Sequence, residues 1–232
     1  MDRAAASRAR WTAAAVAAVV LATAATLGLY GYSFGIHNHS IQIPFLRSLQ
    51  DPSLYPDDRC MQAMRGYFSF FWPLMARLTR WLPLGPTFLV GHVLTVATTL
   101  AAVLAIGRRV FPHDPRAAYM GLWLVLWGQS VVGEESLHWM YLSHTPAATA
   151  LGLWTICCAI AGRWVLALAL AGVVFDLHAV QSAYLVLLLF LAMLAPRRPA
   201  LQAVPLRPIP KTGATGSLPA RALADRPPVA PR

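Results

Sequence analysis

Long runs of apolar residues are the feature of this sequence that most limits what it can fold into. Five runs are near or above the roughly 17–25 residues that a helix needs to cross a bilayer. They occupy residues 11–32, 87–106, 117–132, 145–161 and 164–195. A soluble domain would keep a polar face on each element, whereas 57% of these residues are hydrophobic and only 12% are charged. The sequence therefore predicts an all-α, polytopic membrane helix bundle.

The last apolar run is too long for one ordinary span. It contains Asp176 and His178 near its middle, and a single helix would hold both at mid-membrane, where an unpaired charge costs about 3 kcal/mol or more. A hairpin of two short helices that turns near residues 176–182 avoids this cost. We therefore predict about six transmembrane helices.

Arginine residues occur in every predicted cytoplasmic segment, whereas the outside segments after the first contain no Lys or Arg. Segments retained in the cytoplasm are enriched in Lys and Arg, and with six spans each cytoplasmic segment is basic. These segments contain Arg3, Arg8 and Arg10, then Arg108, Arg109 and Arg116, then Arg163, and finally Arg197 and Arg198. A five-span topology would place the last pair outside. We expect a multi-pass protein of the bacterial cytoplasmic (inner) membrane with both termini in the cytoplasm.

The net charge of +10 has the same explanation. The arginines flank apolar segments and form no basic stripe with interleaved aromatic residues, so nucleic acid is excluded as a partner and membrane lipids are expected instead. The three cysteines, Cys60, Cys157 and Cys158, lack the spacing of a disulfide framework or a zinc site.

Composition divides the chain into three parts. Residues 1–10 form a cytoplasmic N-terminus, residues 11–195 the transmembrane helical domain, and residues 196–232 a tail rich in Pro and Arg. The tail cannot bury enough apolar area to offset the entropy of ordering, so we expect it to be disordered. The first apolar run favours an uncleaved anchor helix, and a signal peptide cleaved near residues 22–24 is the alternative.

The connection over residues 33–86 is the longest one and is predicted to lie outside. Its first part is interrupted by Pro44, Pro52 and Pro56, which indicates short helical turns mixed with extended chain. Its second part, GYFSFFWPLMARLTRWLPLG, mixes aromatic residues with arginine. That mixture is typical of an amphipathic helix in the membrane interface, here broken near Pro73, with a shallow re-entrant segment as the alternative.

Polar residues concentrate on the outer side of this topology. No soluble-enzyme motif is present, but most acids and histidines fall in outside loops or at outer helix ends. They are Asp51, Asp57, Asp58, Glu134, Glu135 and Asp176, together with His37, His39, His92, His138, His144 and His178. Polar groups at membrane depth normally face a bundle interior or a cavity. We expect an outward-opening polar cavity, with mutual solvation of these groups as the alternative that needs no ligand.

The layout of a basic N-terminus, a first helix, a long outside loop with amphipathic helices and then short spans resembles the N-terminal half of GT-C-type membrane glycosyltransferases. The stretch YSFGIHNHSIQIPFLRSLQDPSLYPDD is similar to the first loop of a poorly characterised group of bacterial multi-spanning proteins. This resemblance covers residues 11–195. It implies transfer from a polyprenyl-phosphate sugar at a carboxylate early in this loop, commonly with a divalent cation. Here His37-Asn38-His39 occupies that place, and the first acid is Asp51.

Two classes of function follow. The first is a GT-C-like transferase, or a truncated relative of one, that acts on lipid-linked sugars at the outer face. Its candidate residues are His37, His39, Glu134 and Glu135 as bases, and Arg47, Arg59, Arg65 and His178 as substrate-binding groups. The second is a non-catalytic membrane protein, such as an envelope-complex partner or a small transporter. A partner protein would need no catalytic carboxylate.

Overall fold

The computed structural model describes residues 3–127 and 137–195, with side chains from Thr12 onward. Every regular element in this part of the chain is an α-helix, as the predicted all-α class requires. The nine helices of the described part are α1 (Arg3–Tyr30), α2 (His39–Gln50), α3 (Arg59–Arg65), α4 (Phe71–Leu78), α5 (Leu84–Val110), α6 (Pro115–Val125), α7 (His144–Ile160), α8 (Trp164–Leu177) and α9 (Ala179–Leu194). The predicted disordered tail, residues 196–232, lies outside the described residues.

Two of these helices are long and apolar enough to cross a membrane. They are α1 from Thr12 to Tyr30 and α5. Helices α7, α8 and α9 have 17, 14 and 16 residues. At about 1.5 Å per residue, each helix is shorter than the thickness of the hydrocarbon core, which is roughly 30 Å. Helix α6 ends at Val125, before the predicted end of its span. A helix therefore lies in each predicted apolar segment, but only two reach a spanning length.

Contacts between the helices give their relative directions. Ala22 of α1 packs with Val96 and Leu100 of α5, whereas earlier residues of α1 (15–20) lie beside later residues of α5 (101–108), so the two helices run antiparallel. Helix α6 then returns along α5 at close range, because Gly107 has no side chain and an added Cβ there would lie 3.1 Å from Ala118 Cα. Helices α1, α5 and α6 therefore alternate in direction, as a chain that crosses a membrane back and forth would require.

The predicted hairpin in the last apolar run is present. Helix α8 ends at Leu177, His178 has extended backbone angles (φ −155°, ψ 91°), and α9 begins at the next residue. The two helices pack through small and branched side chains, and the Ser182 hydroxyl donates a hydrogen bond to the Ala171 carbonyl at 2.9 Å. The break falls at the polar residue that the sequence singled out.

The long connection folds into three short helices, α2 to α4, which we call the cap (residues 39–78). Their apolar side chains form one buried cluster with the start of α5 and with Leu142. Its members are Phe45, Leu46, Met61, Phe71, Trp72, Met75, Ala76, Phe88 and Leu142. The predicted break at Pro73 is wrong, because α4 begins at Phe71 and the proline lies in its first turn, where no helical hydrogen bond is lost.

Hydrogen bonds attach the cap, and the segment just before it, to the end of α8 and to the segment before α7. The Ser33 N–H donates to the Met140 carbonyl at 2.6 Å, and the Phe70 N–H donates to the Asp176 carbonyl at 2.7 Å. The Ser69 hydroxyl donates to the Leu177 carbonyl at 2.8 Å, which satisfies another carbonyl at the end of α8. We call this end the histidine end. Its ring contacts include His39, His92, His138, His144 and His178.

Candidate functional site

His39 is fully buried at the start of α2, and the backbone occupies both of its ring nitrogens. The Gly35 N–H donates to Nδ1 at 3.2 Å, so the ring proton is on Nε2, which donates to the Leu142 carbonyl at 2.7 Å. Burial lowers the pKa of the imidazole, which favours the neutral form. His39, predicted as a base, therefore connects the cap to the segment before α7. Neither of its ring nitrogens is left to bind a substrate.

His37 and His39 do not present a shared face. Their predicted alignment required an extended chain, but His37 has a left-handed backbone (φ 52°) and its carbonyl accepts a hydrogen bond from the Ser40 hydroxyl at 2.7 Å. The His37 ring is exposed and stacks on Tyr141 with ring centroids 6.1 Å apart. The two histidines consequently face different environments, one solvent and the other the interior.

Tyr67, His144 and His178 form a second cluster, where the cap meets α7 and the α8–α9 break. Tyr67 Oη lies 2.6 Å from His144 Nε2. The His144 and His178 rings stack with centroids 5.1 Å apart and an interplanar angle of 23°. Burial raises the pKa of the Tyr67 phenol, which therefore stays protonated near neutral pH. This cluster combines a hydroxyl with two imidazoles, and Tyr67 is 41% exposed.

Several buried polar atoms beside this cluster have no hydrogen-bond partner. They include His144 Nδ1 and Trp72 Nε1, and the two rings lie 6.0 Å apart. Because a tyrosine hydroxyl can donate or accept, His144 can adopt either tautomer, and Nδ1 can then serve as donor or acceptor. Buried polar groups are normally paired in proteins, so such atoms are candidates for contact with a ligand or water.

Gln181, near the start of α9, adds an acceptor near this cluster. The Thr149 hydroxyl donates to the Thr145 carbonyl at 3.0 Å, so it must accept from Gln181, whose Nε2 lies 3.1 Å away. That assignment leaves Gln181 Oε1 buried without a donor. The Gln181 N–H also points at His178 Nδ1, at 3.4 Å. The region thus has unpaired groups of both hydrogen-bonding types.

The three arginines predicted to bind phosphate are exposed on the cap. Arg47 is near the end of α2 and donates to Gln50 Oε1 at 3.2 Å. Arg59 and Arg65 are the first and last residues of α3. They contribute positive charge to the outer surface of the cap, outside the buried cluster around His144.

The acids are less informative than predicted. Glu134 and Glu135 lie outside the described residues, as do Gln129 and Ser130. Asp51 accepts from the Ser53 hydroxyl at 2.7 Å and from its N–H at 3.0 Å, and these bonds lower the pKa of the Asp51 carboxyl. Asp58 caps α3 through the Cys60 and Met61 N–H groups, and its role is that of a helix cap.

No group of three or more His, Cys, Asp or Glu side chains that could hold a metal occurs among residues 3–127 and 137–195. The described residues place two imidazoles at the second cluster, and a catalytic zinc ordinarily has three protein ligands. Cys157 and Cys158 are buried in α7 as free thiols, whereas Cys60 is exposed.

The structure places His178, a predicted substrate-binding residue, beside two residues to which the sequence assigns no site role, His144 and Tyr67. From the sequence, His144 is one of several outer histidines with no assigned role, and Tyr67 is part of a predicted interfacial helix. The distance of 77 residues between Tyr67 and His144 explains the omission, because no periodic pattern links them. His92, which the sequence places near the start of its span, lies in the first half of α5, and its buried ring contacts Tyr32 with centroids 5.2 Å apart.

No protein family, curated protein or solved structure matches this chain.

Proposed function

We propose that this chain is a multi-pass protein of the bacterial cytoplasmic membrane, with six membrane-inserted helices and the histidine end on the outer face. The support is the apolar surface that the helices expose. On α9, Tyr184, Phe190 and Leu194 are each more than half exposed, and a monomeric soluble protein rarely presents so large an apolar surface to water. The arginine pattern orients the bundle with both termini inside.

Reporter fusions after Arg116, Leu142 and Arg198 test this topology. An enzyme reporter that is active only outside the membrane should be silent, active and silent at the three positions, and a cytoplasmic reporter should give the reverse. An outside signal at Arg198 would remove one pass of the final hairpin, and signals of equal strength in soluble extracts would contradict membrane insertion altogether.

We further propose that the histidine end binds an anionic, lipid-linked sugar, with a polyprenyl-phosphate sugar as the substrate class. The observation that carries this proposal is the Tyr67–His144–His178 cluster with unpaired donors and acceptors beside it. A sugar phosphate offers hydroxyl donors and phosphate acceptors together, so it can satisfy both kinds. Arg47, Arg59 and Arg65 on the cap supply the charge that attracts the phosphate to this face.

A GT-C-like transfer is the reaction that this arrangement supports best. The acceptor hydroxyl would lose its proton to the His144 imidazole as its oxygen bonds to the anomeric carbon. The bond from that carbon to the phosphate oxygen breaks at the same time, and the lipid phosphate leaves with the electron pair. Tyr67 would hold the imidazole through Nε2, so that Nδ1 is the atom that takes the proton. His178, stacked on His144, would orient the substrate.

Binding of a short-chain polyprenyl phosphate to the purified full chain tests this site. We expect His144→Gln to weaken binding by roughly tenfold or more, since a hydrogen bond to a charged group contributes about 1.5–3 kcal/mol. The matched control is Asp57→Asn, an exposed residue of the cap outside the cluster. The sequence also predicts loss of binding for His37→Ala and Glu135→Gln. Equal binding by His144→Gln and Asp57→Asn would refute the assignment of His144.

A second candidate function is a non-catalytic membrane protein, such as an envelope-complex partner or a small transporter. The observation that favours it is the exposure of the carboxylates. Among the described residues, Asp51, Asp58 and Asp176 are all exposed, so none of them is a buried catalytic acid. Transfer of labelled sugar from the lipid carrier to a soluble acceptor separates the two functions. Tight binding of the lipid without transfer would assign the non-catalytic role, and lipid binding with turnover that His144→Gln abolishes would assign the transferase.

A further inference from the structure

A groove lies between α1 and α5, at the end of these helices opposite the histidine end. Its volume is about 280 Å³, near the lower limit of roughly 300–1,000 Å³ for small-molecule pockets. It is lined by alanine, valine and leucine side chains together with one charged residue. The lining residues are Ala15, Val16, Val19, Val20, Ala101, Leu104, Ala105 and Arg108. Its size and apolar walls suit a single hydrocarbon chain.

The groove arises from the way α5 is packed on its two sides. Toward the histidine end, α1 and α5 contact each other through Ala22, Val96 and Leu100. Toward the other end, α5 is fixed against α6 where Gly107 approaches Ala118. Apart from the buried Leu104, and Arg108 at the groove's end, the α5 residues that line the groove are alanines, so the space between the two helices is not filled.

Arg108 gives this groove a charged end. Its side chain is exposed and lines the groove. The neighbouring Arg109 does not line the groove, and its Nη1 donates a hydrogen bond to the Ala105 carbonyl at 3.2 Å. A guanidinium group binds a phosphate through two parallel hydrogen bonds, and basic pockets between membrane helices are suited to anionic lipid headgroups. Among the residues whose side chains the structure describes, Arg108 is the one cation that lines this apolar groove.

We propose that this groove binds one acyl chain of an anionic phospholipid, whose phosphate pairs with Arg108. The occupant is a lipid of the leaflet on the Arg108 side, which is the cytoplasmic leaflet in the proposed topology. The apolar walls alone give little preference, because bilayer tails are as apolar as alanine or leucine. Selectivity comes from the charge on Arg108. This site is independent of the histidine end and of the substrate proposed there.

Native mass spectrometry of the full chain in detergent tests the proposal with defined lipids. The probes are phosphatidylglycerol, phosphatidylcholine and free glycerol phosphate. We expect one phosphatidylglycerol to be retained in preference to phosphatidylcholine by roughly tenfold, as one charge-assisted contact allows. Free glycerol phosphate should not be retained. Retention of glycerol phosphate as strong as that of the lipid would overturn the role of the acyl chain.

Two variants separate the parts of the site. Arg108→Gln should remove the preference for phosphatidylglycerol, and Val16→Trp, at an exposed position of the α1 wall, should reduce retention of both lipids by filling the groove. Arg116→Gln, an exposed arginine of α6, is the matched control and should bind as the parent does. Thermal melting verifies that each variant is folded. Equal loss of phosphatidylglycerol in Arg108→Gln and Arg116→Gln, or full retention in Val16→Trp, would contradict the proposal.

Discussion

His39 and His144 are two buried histidines at the same end of the helices, and they differ in what completes their hydrogen bonds. Both nitrogens of His39 are bonded to backbone groups. His144 is bonded at Nε2 to the partly exposed Tyr67, and its Nδ1 has no partner. A buried imidazole whose needs are met by the backbone supports the fold, whereas one with an open nitrogen has capacity left for another molecule.

Removal of each imidazole should give the largest difference. We expect His39→Ala to lower the free energy of unfolding by about 3–5 kcal/mol, because the Leu142 carbonyl loses its donor and a cavity opens in the core. His144→Ala should cost about 1–2 kcal/mol, since the Tyr67 hydroxyl can turn toward water. Thermal or denaturant unfolding in one detergent measures both. Similar losses would abolish the distinction between the two histidines.

Acid should destabilise the protein through His39. Burial lowers the pKa of His39 below the ordinary value of 6.5. Below about pH 6.5 the imidazole is therefore protonated in the unfolded chain but stays neutral in the folded protein, which favours unfolding. Stability from this group is complete above about pH 6.5 and is lost as the pH falls toward the folded pKa. His138, whose pKa burial also lowers, acts in the same direction. The melting temperature should therefore fall between about pH 7 and pH 5, and less steeply in His39→Gln. An unchanged slope in that variant would count against a neutral His39.

The hydrogen bond between Tyr67 and His144 should have a smaller effect on stability. We expect Tyr67→Phe to cost about 0.5–1.5 kcal/mol in unfolding free energy and to weaken ligand binding more than this. A double-mutant cycle with His144→Ala isolates the pair, and its coupling energy should be about 1 kcal/mol. Additive effects of the two substitutions would mean that the 2.6 Å contact contributes nothing to either residue.

Ser69 gives the smallest expected change in ligand affinity, because it acts through His178, and it tests how the cap positions the second cluster. Ser69→Ala removes the hydrogen bond to the Leu177 carbonyl, next to His178, at a cost of about 0.5–1.5 kcal/mol. Ligand affinity should fall as His178 loses its fixed position, while the melting temperature falls only as far as this loss of stability requires. Ser53→Ala, an exposed serine in the same connection, is the control and should leave affinity unchanged.

Apolar runs were enough to predict where the long helices lie, and the polar pair Asp176 and His178 was enough to predict the break between α8 and α9. The lengths were not predictable from apolarity alone, because apolar residues continue into turns and connections, as they do beyond Val125. The role of His39 was also out of reach. Its partner is the Leu142 carbonyl, and every residue has a carbonyl, so no side-chain pattern marks the one that is used.

The hydrogen bonds of the cap also have an implication for the order in which the chain folds. His39 binds a carbonyl 103 residues further along the chain, Tyr67 a side chain 77 residues later, and Ser69 a carbonyl 108 residues later. A ribosome makes the acceptors long after the cap residues themselves. During synthesis the cap therefore lacks these hydrogen bonds until α8 has emerged from the ribosome. We expect nascent chains that stop before residue 177 to expose the cap to protease, and chains released after α9 to protect it.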